Sequence, residues 1–153
     1  MQRLDDIDRK LLRLLQDEPD LAMTEMATRA GLSLGPCARR IERLKRDGVI
    51  LGTAIELDYR ALGYEVRVFL RITLDKTAPN AFDAFLRAAR NLTEVENIQT
   101  LLGRVDVRMD VVARDLAHYR EIYRDRILAL PHIAELDALM LVSELKNSDR
   151  LPL

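Results

Sequence analysis

Between Ser33 and Arg46 the chain carries five cations, Arg39, Arg40, Arg43, Lys45 and Arg46, against Glu42 alone, although its formal net charge is only −1. Laid out at about 100° per residue, the stretch separates into two stripes. Leu34, Cys37, Ile41 and Leu44 share a narrow apolar arc, while Gly35, Pro36, Arg39, Arg43 and Arg46 lie opposite. A helix that packs by the first stripe offers guanidinium groups to a polyanion by the second. Its small residues fall at the N-terminus, where close approach is needed. Arg39 and Arg43 point outward, toward bases or backbone. Arg40 lies at the border of the polar stripe, close in angle to Asp47, so an ion pair and a phosphate contact are both open to it.

A second group of charges is Gly103-Arg104-Val105-Asp106, preceded by Leu102. Glycine permits a turn that other residues would strain. A guanidinium fork, a carboxylate and apolar walls would suit the carboxylate, ammonium and side chain of an amino acid. Other reactive residues carry less. Cys37 is the only cysteine, which excludes an intrachain disulfide and a multi-cysteine metal site, and on the apolar stripe it reads as a small hydrophobe. His118 and His132 have no metal-ligand spacing with an acid or cysteine. No glycine-rich phosphate loop occurs. Asp106 and Asp110 are expected to bridge to Arg108 or Arg67 across strands. The expectation is therefore a protein that is not an enzyme and uses no cofactor or metal.

The elements that must position these groups follow from periodicity. In "LDDIDRKLLRLLQDEPD", Asp5, Asp6 and Asp8 suit a helix N-terminus and its dipole. Ile7, Leu11, Leu14 and Leu15 recur at helical spacing before Pro19. Thr24 is placed to cap a short second helix that Gly31 ends in a left-handed turn. Ser33 is placed to cap the third, with Pro36 in its first turn and Asp47-Gly48 at its end. Two helices joined by a short glycine-containing turn make a helix-turn-helix, whose second helix enters the DNA major groove. "VILGTAIEL" (49–57) is β-like, as a winged variant requires. Residues 1–60 hold eleven Lys/Arg and eleven Asp/Glu, so it is the local stripe, not the bulk charge, that points to DNA.

The remainder reads differently. "YEVRVFLRITL" (64–74) alternates, with Tyr64, Val66, Val68, Leu70, Ile72 and Leu74 on one face and Glu65, Arg67, Phe69, Arg71 and Thr73 on the other. Residues 79–91 form a helix, 94–102 and 105–113 strands, 115–130 a helix between Asp115 and Pro131, and 133–145 a last strand. This β-α-β-β-α-β order specifies an antiparallel four-stranded sheet with both helices on one side, the ferredoxin-like arrangement. The other sheet face carries Phe69 and half of "ALMLV" with no cover in the chain. Such a face marks a partner surface, and another copy of the chain is the expected partner. The fold class is thus α+β, with a winged helix-turn-helix domain over 1–58 and a ferredoxin-like domain over 59–153.

Both halves, in this order, resemble the Lrp/AsnC family of bacterial and archaeal transcription regulators from about Leu4 to Leu151. The resemblance is carried by "LDDIDRKLLRLLQ", "LSLGPCARRIERLKRDGVI" and "LPHIAELDALMLVSELK". It implies a dimer, often assembled into octamers, whose C-terminal domains bind a small effector, commonly an amino acid. Where the family often has Gly-Asp-x-Asp-Tyr in the turn between the second and third strands, this chain has Gly103-Arg104-Val105-Asp106-Val107. The expected DNA-facing residues are Thr24, Ser33, Leu34, Gly35, Pro36, Arg39, Arg40 and Arg43. The expected effector set is Leu102, Gly103, Arg104, Val105 and Asp106, with Leu139, Met140 and Leu141 contributed by a neighbouring subunit. The alternative is a small-molecule-sensing module acting through protein contacts. An acidic N-terminus and the lack of a long apolar run lead to the expectation of a cytoplasmic protein without membrane contact.

Overall fold

A computed structural model describes residues 4–146 and 150–153. The chain divides into two units, one running up to Glu56 and joined by the C-terminal tail from Arg150, the other spanning Leu57–Leu145. This division falls after Glu56 and groups the C-terminal tail with the first unit. The tail is held there by polar contacts: Arg150 pairs with Asp17 at 3.0 Å, the Leu151 N–H donates to Gln16 Oε1, and Arg13 donates to the Leu153 carbonyl.

The first unit contains α1 (Asp6–Asp17), α2 (Met23–Ala30) and α3 (Leu34–Arg46). Helix α1 opens on a capping box: Asp5 accepts from the Asp8 N–H at 2.7 Å while Asp8 accepts from the Asp5 N–H. Helix α2 begins two residues earlier than expected. Ala22 is its N-cap, and Thr24 lies within the first turn rather than capping it. Gly31 adopts φ 74° and turns the chain into α3, which starts after Ser33; the Ser33 side chain makes no capping hydrogen bond. Leu11, Met26, Ala27, Cys37, Ile41 and Leu44 form the buried core. The apolar arc read from α3 is therefore its packing face, except that Leu34 in the first turn is exposed.

The expected wing strand is not formed. Residues 50–57 take no strand pairing, and Leu51 is 95% exposed and Ile55 86%. The apolar, β-branched composition favours an extended chain, but a strand exists only with a hydrogen-bonding neighbour, and among the described residues none is offered.

In the second unit β1 (Val66–Leu74), β2 (Val95–Thr100), β3 (Val107–Ala113) and β4 (Ile133–Met140) form an antiparallel sheet in the order β2-β3-β1-β4. Helices α4 (Ala81–Ala89) and α5 (Leu116–Ile122) complete the β-α-β-β-α-β pattern. The alternation read from β1 holds: Val66, Val68, Leu70, Ile72 and Leu74 are all buried, with Phe85, Val107, Met109, Val111 and Ile127 in the same core. The segment expected as one helix over 115–130 is instead α5, capped by Asp115, followed by a five-residue π-helical stretch, Tyr123–Ile127. Strand β4 ends at Met140, short of residue 145, with Val68 opposite Met140 as the last pair of its ladder with β1.

Candidate nucleic-acid interface and effector turn

Helix α3 presents Arg39 exposed, with no ion-pair or hydrogen-bond partner among the described residues. Its neighbours are engaged. Arg40 Nη1 donates to Asp5 Oδ2 at 2.7 Å and to Asp8 Oδ1 at 2.8 Å, and Arg43 Nη2 donates to Asp8 Oδ2 at 2.6 Å. Arg40 therefore does form an ion pair, with α1 rather than with Asp47, whose partner is Arg46. Arg43, expected to point outward, is half-buried and tied to Asp8, which is only 1% exposed. Arg40 holds the Asp5 carboxyl below the usual carboxylate range, after the larger effect of the hydrogen bond from the Asp8 N–H. Pro36, Arg39, Arg40 and Arg43 line a shallow depression of about 290 Å³. Thr24, Ser33, Leu34 and Gly35 are exposed at the N-terminal ends of α2 and α3.

The two acids behind the arginines went unrecognised in the sequence, where Asp5 and Asp8 read only as dipole-complementing residues. A usable signal was present. Asp5 and Asp8 are spaced i,i+3, and so are Arg40 and Arg43, so each pair shares one face of its helix.

The Gly103 turn adopts φ 150°, a conformation that L side chains rarely take. Leu102 and Arg104 are fully or largely exposed, and the Arg104 guanidinium has no partner among the described residues. Asp106 is 7% exposed and already committed: it accepts from the Leu74 N–H at 2.9 Å and pairs with Lys76 Nζ at 2.8 Å. The Lys76 ammonium, then the Leu74 N–H, hold its carboxyl below the ordinary range. The cross-strand bridges expected for the aspartates do not form. Asp110 pairs with Arg108 on its own strand, and Arg67 pairs with Glu144. Arg104 and Val105 instead border a depression of about 180 Å³ with Arg71, Thr73, Glu135 and Asp137, in which Arg71 and Asp137 pair at 2.9 Å.

Leu139 and Leu141 lie at the other end of β1. The Asp106 N–H donates to the Ile72 carbonyl and the Leu141 N–H to that of Arg67. At ~3.3 Å per residue the two places are roughly 16 Å apart along the strand. Leu139 pairs with outward-facing Phe69, whereas Met140 pairs with inward-facing Val68. The Arg108 guanidinium covers the Phe69 ring at 4.7 Å.

Cys37 is completely buried beside Met23, and desolvation pushes its thiol pKa up, opposite to what a nucleophile requires. The His118 Nδ1 accepts from the Arg114 N–H. No cluster of metal-ligating side chains occurs among the described residues, and no helix there is long and apolar enough to cross a membrane.

A helix-turn-helix with a cationic outer face, in a chain that also carries a ferredoxin-like sheet with a charged turn, defines a DNA-binding regulator that carries a sensing domain. Comparison with known proteins agrees. Residues 4–50 match the winged helix-turn-helix DNA-binding family, and residues 67–151 match the Lrp/AsnC ligand binding domain. The leucine-responsive regulatory proteins of Escherichia coli and Salmonella typhimurium are each 33% identical over 148 residues, covering 97% of this chain and 90% of theirs. A transcriptional regulator from Neisseria meningitidis, solved as a complex with L-Met, superimposes with a TM-score of 0.91 at 25% identity, covering 98% of this chain and 97% of that one. An AsnC family regulator from Agrobacterium tumefaciens gives 0.88 at 31% identity, covering 97% of each chain. The chain belongs to the Lrp/AsnC family and is a DNA-binding transcription regulator of that type.

Proposed function

We propose that α3 enters the major groove, with Arg39 reading a base edge and Thr24, Ser33, Leu34, Gly35, Pro36, Arg40 and Arg43 lying against the duplex. The observation that carries this reading is Arg39 itself, an exposed guanidinium midway along the helix whose donors no acid among the described residues occupies. Outward cations rather than apolar anchors favour nucleic acid over a docked protein. A mobility shift with DNA upstream of the chain's own coding region tests it, and a retarded complex that survives excess unrelated duplex is expected. Absence of any such complex across promoter fragments would contradict it.

The second unit is proposed to sense an amino acid or close derivative, as the L-Met complex of the Neisseria relative suggests. Arg104 takes the ligand's carboxylate, and Asp106 braces the turn formed by Leu102, Gly103 and Val105. Because that turn and Leu139–Leu141 stand roughly 16 Å apart along one strand, one small ligand can touch both only where two copies meet. The site is therefore proposed to be completed by Leu139, Met140 and Leu141 of another copy, in a homodimer or a larger closed assembly such as an octamer. The apolar pair that Phe69 and Leu139 form on the outer sheet face supports that assembly. Membership of a family of DNA-binding transcription regulators supports reading the protein as a non-enzymatic, cytoplasmic regulator without a cofactor.

A further inference from the structure

The carboxylates of α1 and the guanidiniums of α3 meet in one network. Asp8 accepts Arg43 and the Asp5 N–H on Oδ2, and Arg40 on Oδ1. Each guanidinium carries five N–H donors. Both on Arg40 Nη1 go to the acids, which leaves its Nε and Nη2 groups, and Arg43 uses a single donor. Both arginines, with Pro36 and Arg39, line one shallow depression. The acids hold the two arginines, and each guanidinium keeps donors that these acids do not occupy.

We infer that Asp8, supported by Asp5, is a positioning residue for DNA binding: it fixes Arg40 and Arg43 as the walls of a seat for one backbone phosphate beside Arg39. The inference rests on α3 being the DNA-facing helix. Arginine side chains lose much rotamer freedom on being ordered, and the buried acid removes that cost before DNA arrives. The capping box fixes the acid in turn, so the start of α1 sets the geometry of the α3 surface.

The charge of Asp8 by itself makes the opposite prediction. An acid beside a phosphate seat repels the phosphate, and a neutral replacement should then strengthen binding and steepen its salt dependence. The full-length Asp8→Asn variant separates the two, measured against a mixed-sequence duplex of about 40 base pairs by fluorescence anisotropy across salt concentrations. Positioning predicts about tenfold weaker binding than wild type, and a salt slope shallower by about one for the lost phosphate contact. A variant that was merely less folded would lower the bound fraction without changing the slope. Binding as tight as wild type or tighter, with an equal or steeper slope, overturns the inference.

Arg43→Lys keeps the charge but not the fork, and is expected to weaken binding in the wild-type background and to add nothing to Asp8→Asn. Additive losses would overturn the coupling. If Asp8→Asn does not fold, Asp5→Asn, at a half-exposed carboxylate that pairs with Arg40 and whose other oxygen caps the Asp8 N–H, carries the same sign test. A shallower slope supports the inference and a steeper or unchanged one overturns it. Wild-type protein that binds no duplex would instead refute α3 as the DNA-facing helix.

Discussion

Replacing Asp106 by alanine should loosen the second unit and with it the Gly103 turn. Two partners are lost. The Leu74 N–H, on a residue only 3% exposed, is left without its acceptor, at a cost of about 1–3 kcal/mol for a buried unsatisfied donor. The Lys76 pair adds less, because the Lys76 side chain is 69% exposed, and such pairs contribute about 0–1 kcal/mol. The sum is about 1–4 kcal/mol, which in a unit of about ninety residues lowers Tm by roughly 4–30 °C. Asp106→Asn keeps an acceptor for Leu74 and should cost about 1 kcal/mol or less. The sign with pH is fixed by the lowered carboxyl pKa of the folded state. The stabilisation is present above the unfolded value, about 3.9, and is lost as pH falls through the folded one. Urea melts of wild type, Asp106→Ala and Asp106→Asn at pH 7 and pH 3 read this directly. The gap between wild type and Asp106→Asn should narrow at pH 3. An alanine variant within about 0.5 kcal/mol of wild type at pH 7 would refute the bracing role and free Asp106 for another.

Arg104→Ala should abolish or weaken at least tenfold the calorimetric response to whichever of the twenty amino acids binds, while leaving Tm nearly unchanged, because the guanidinium has no partner to lose. Unaltered binding would remove Arg104 from the site. Phe69→Lys, on the outer sheet face beside Arg108, should shift light scattering from an assembly toward the monomer at micromolar concentration, since an ammonium set against a guanidinium cannot be buried between copies cheaply. Unchanged mass would move the assembly surface elsewhere.

Much of this architecture was legible in the residues. The strict alternation of 64–74 determined which side of β1 is core, and the +3, +4, +3 spacing of Leu34, Cys37, Ile41 and Leu44 determined how α3 packs, with only Leu34 escaping burial. What escaped was whatever depends on a second element. The angle of Arg43 on its helix was read correctly, yet no helical wheel shows that Asp8 of another helix stands beside it. Residues 49–57 carry β-forming side chains, but pairing needs an edge that local sequence does not report. The switch from α5 to a π-helical stretch changes the hydrogen-bond register with no glycine or proline to announce it. The turn proposed to take the effector was singled out by Gly103, whereas the commitment of Asp106 to Leu74 and Lys76 follows from how the β1–β3 ladder ends.

The central claim, that α3 reads DNA through Arg39, is tested most directly by the Arg39→Ala protein on its own promoter fragment and on unrelated duplex at the same salt. A base-reading arginine predicts a specific affinity lower by about 1–3 kcal/mol, with the affinity for unrelated duplex nearly retained. Promoter binding at wild-type strength would show that α3 is not the helix that reads the sequence.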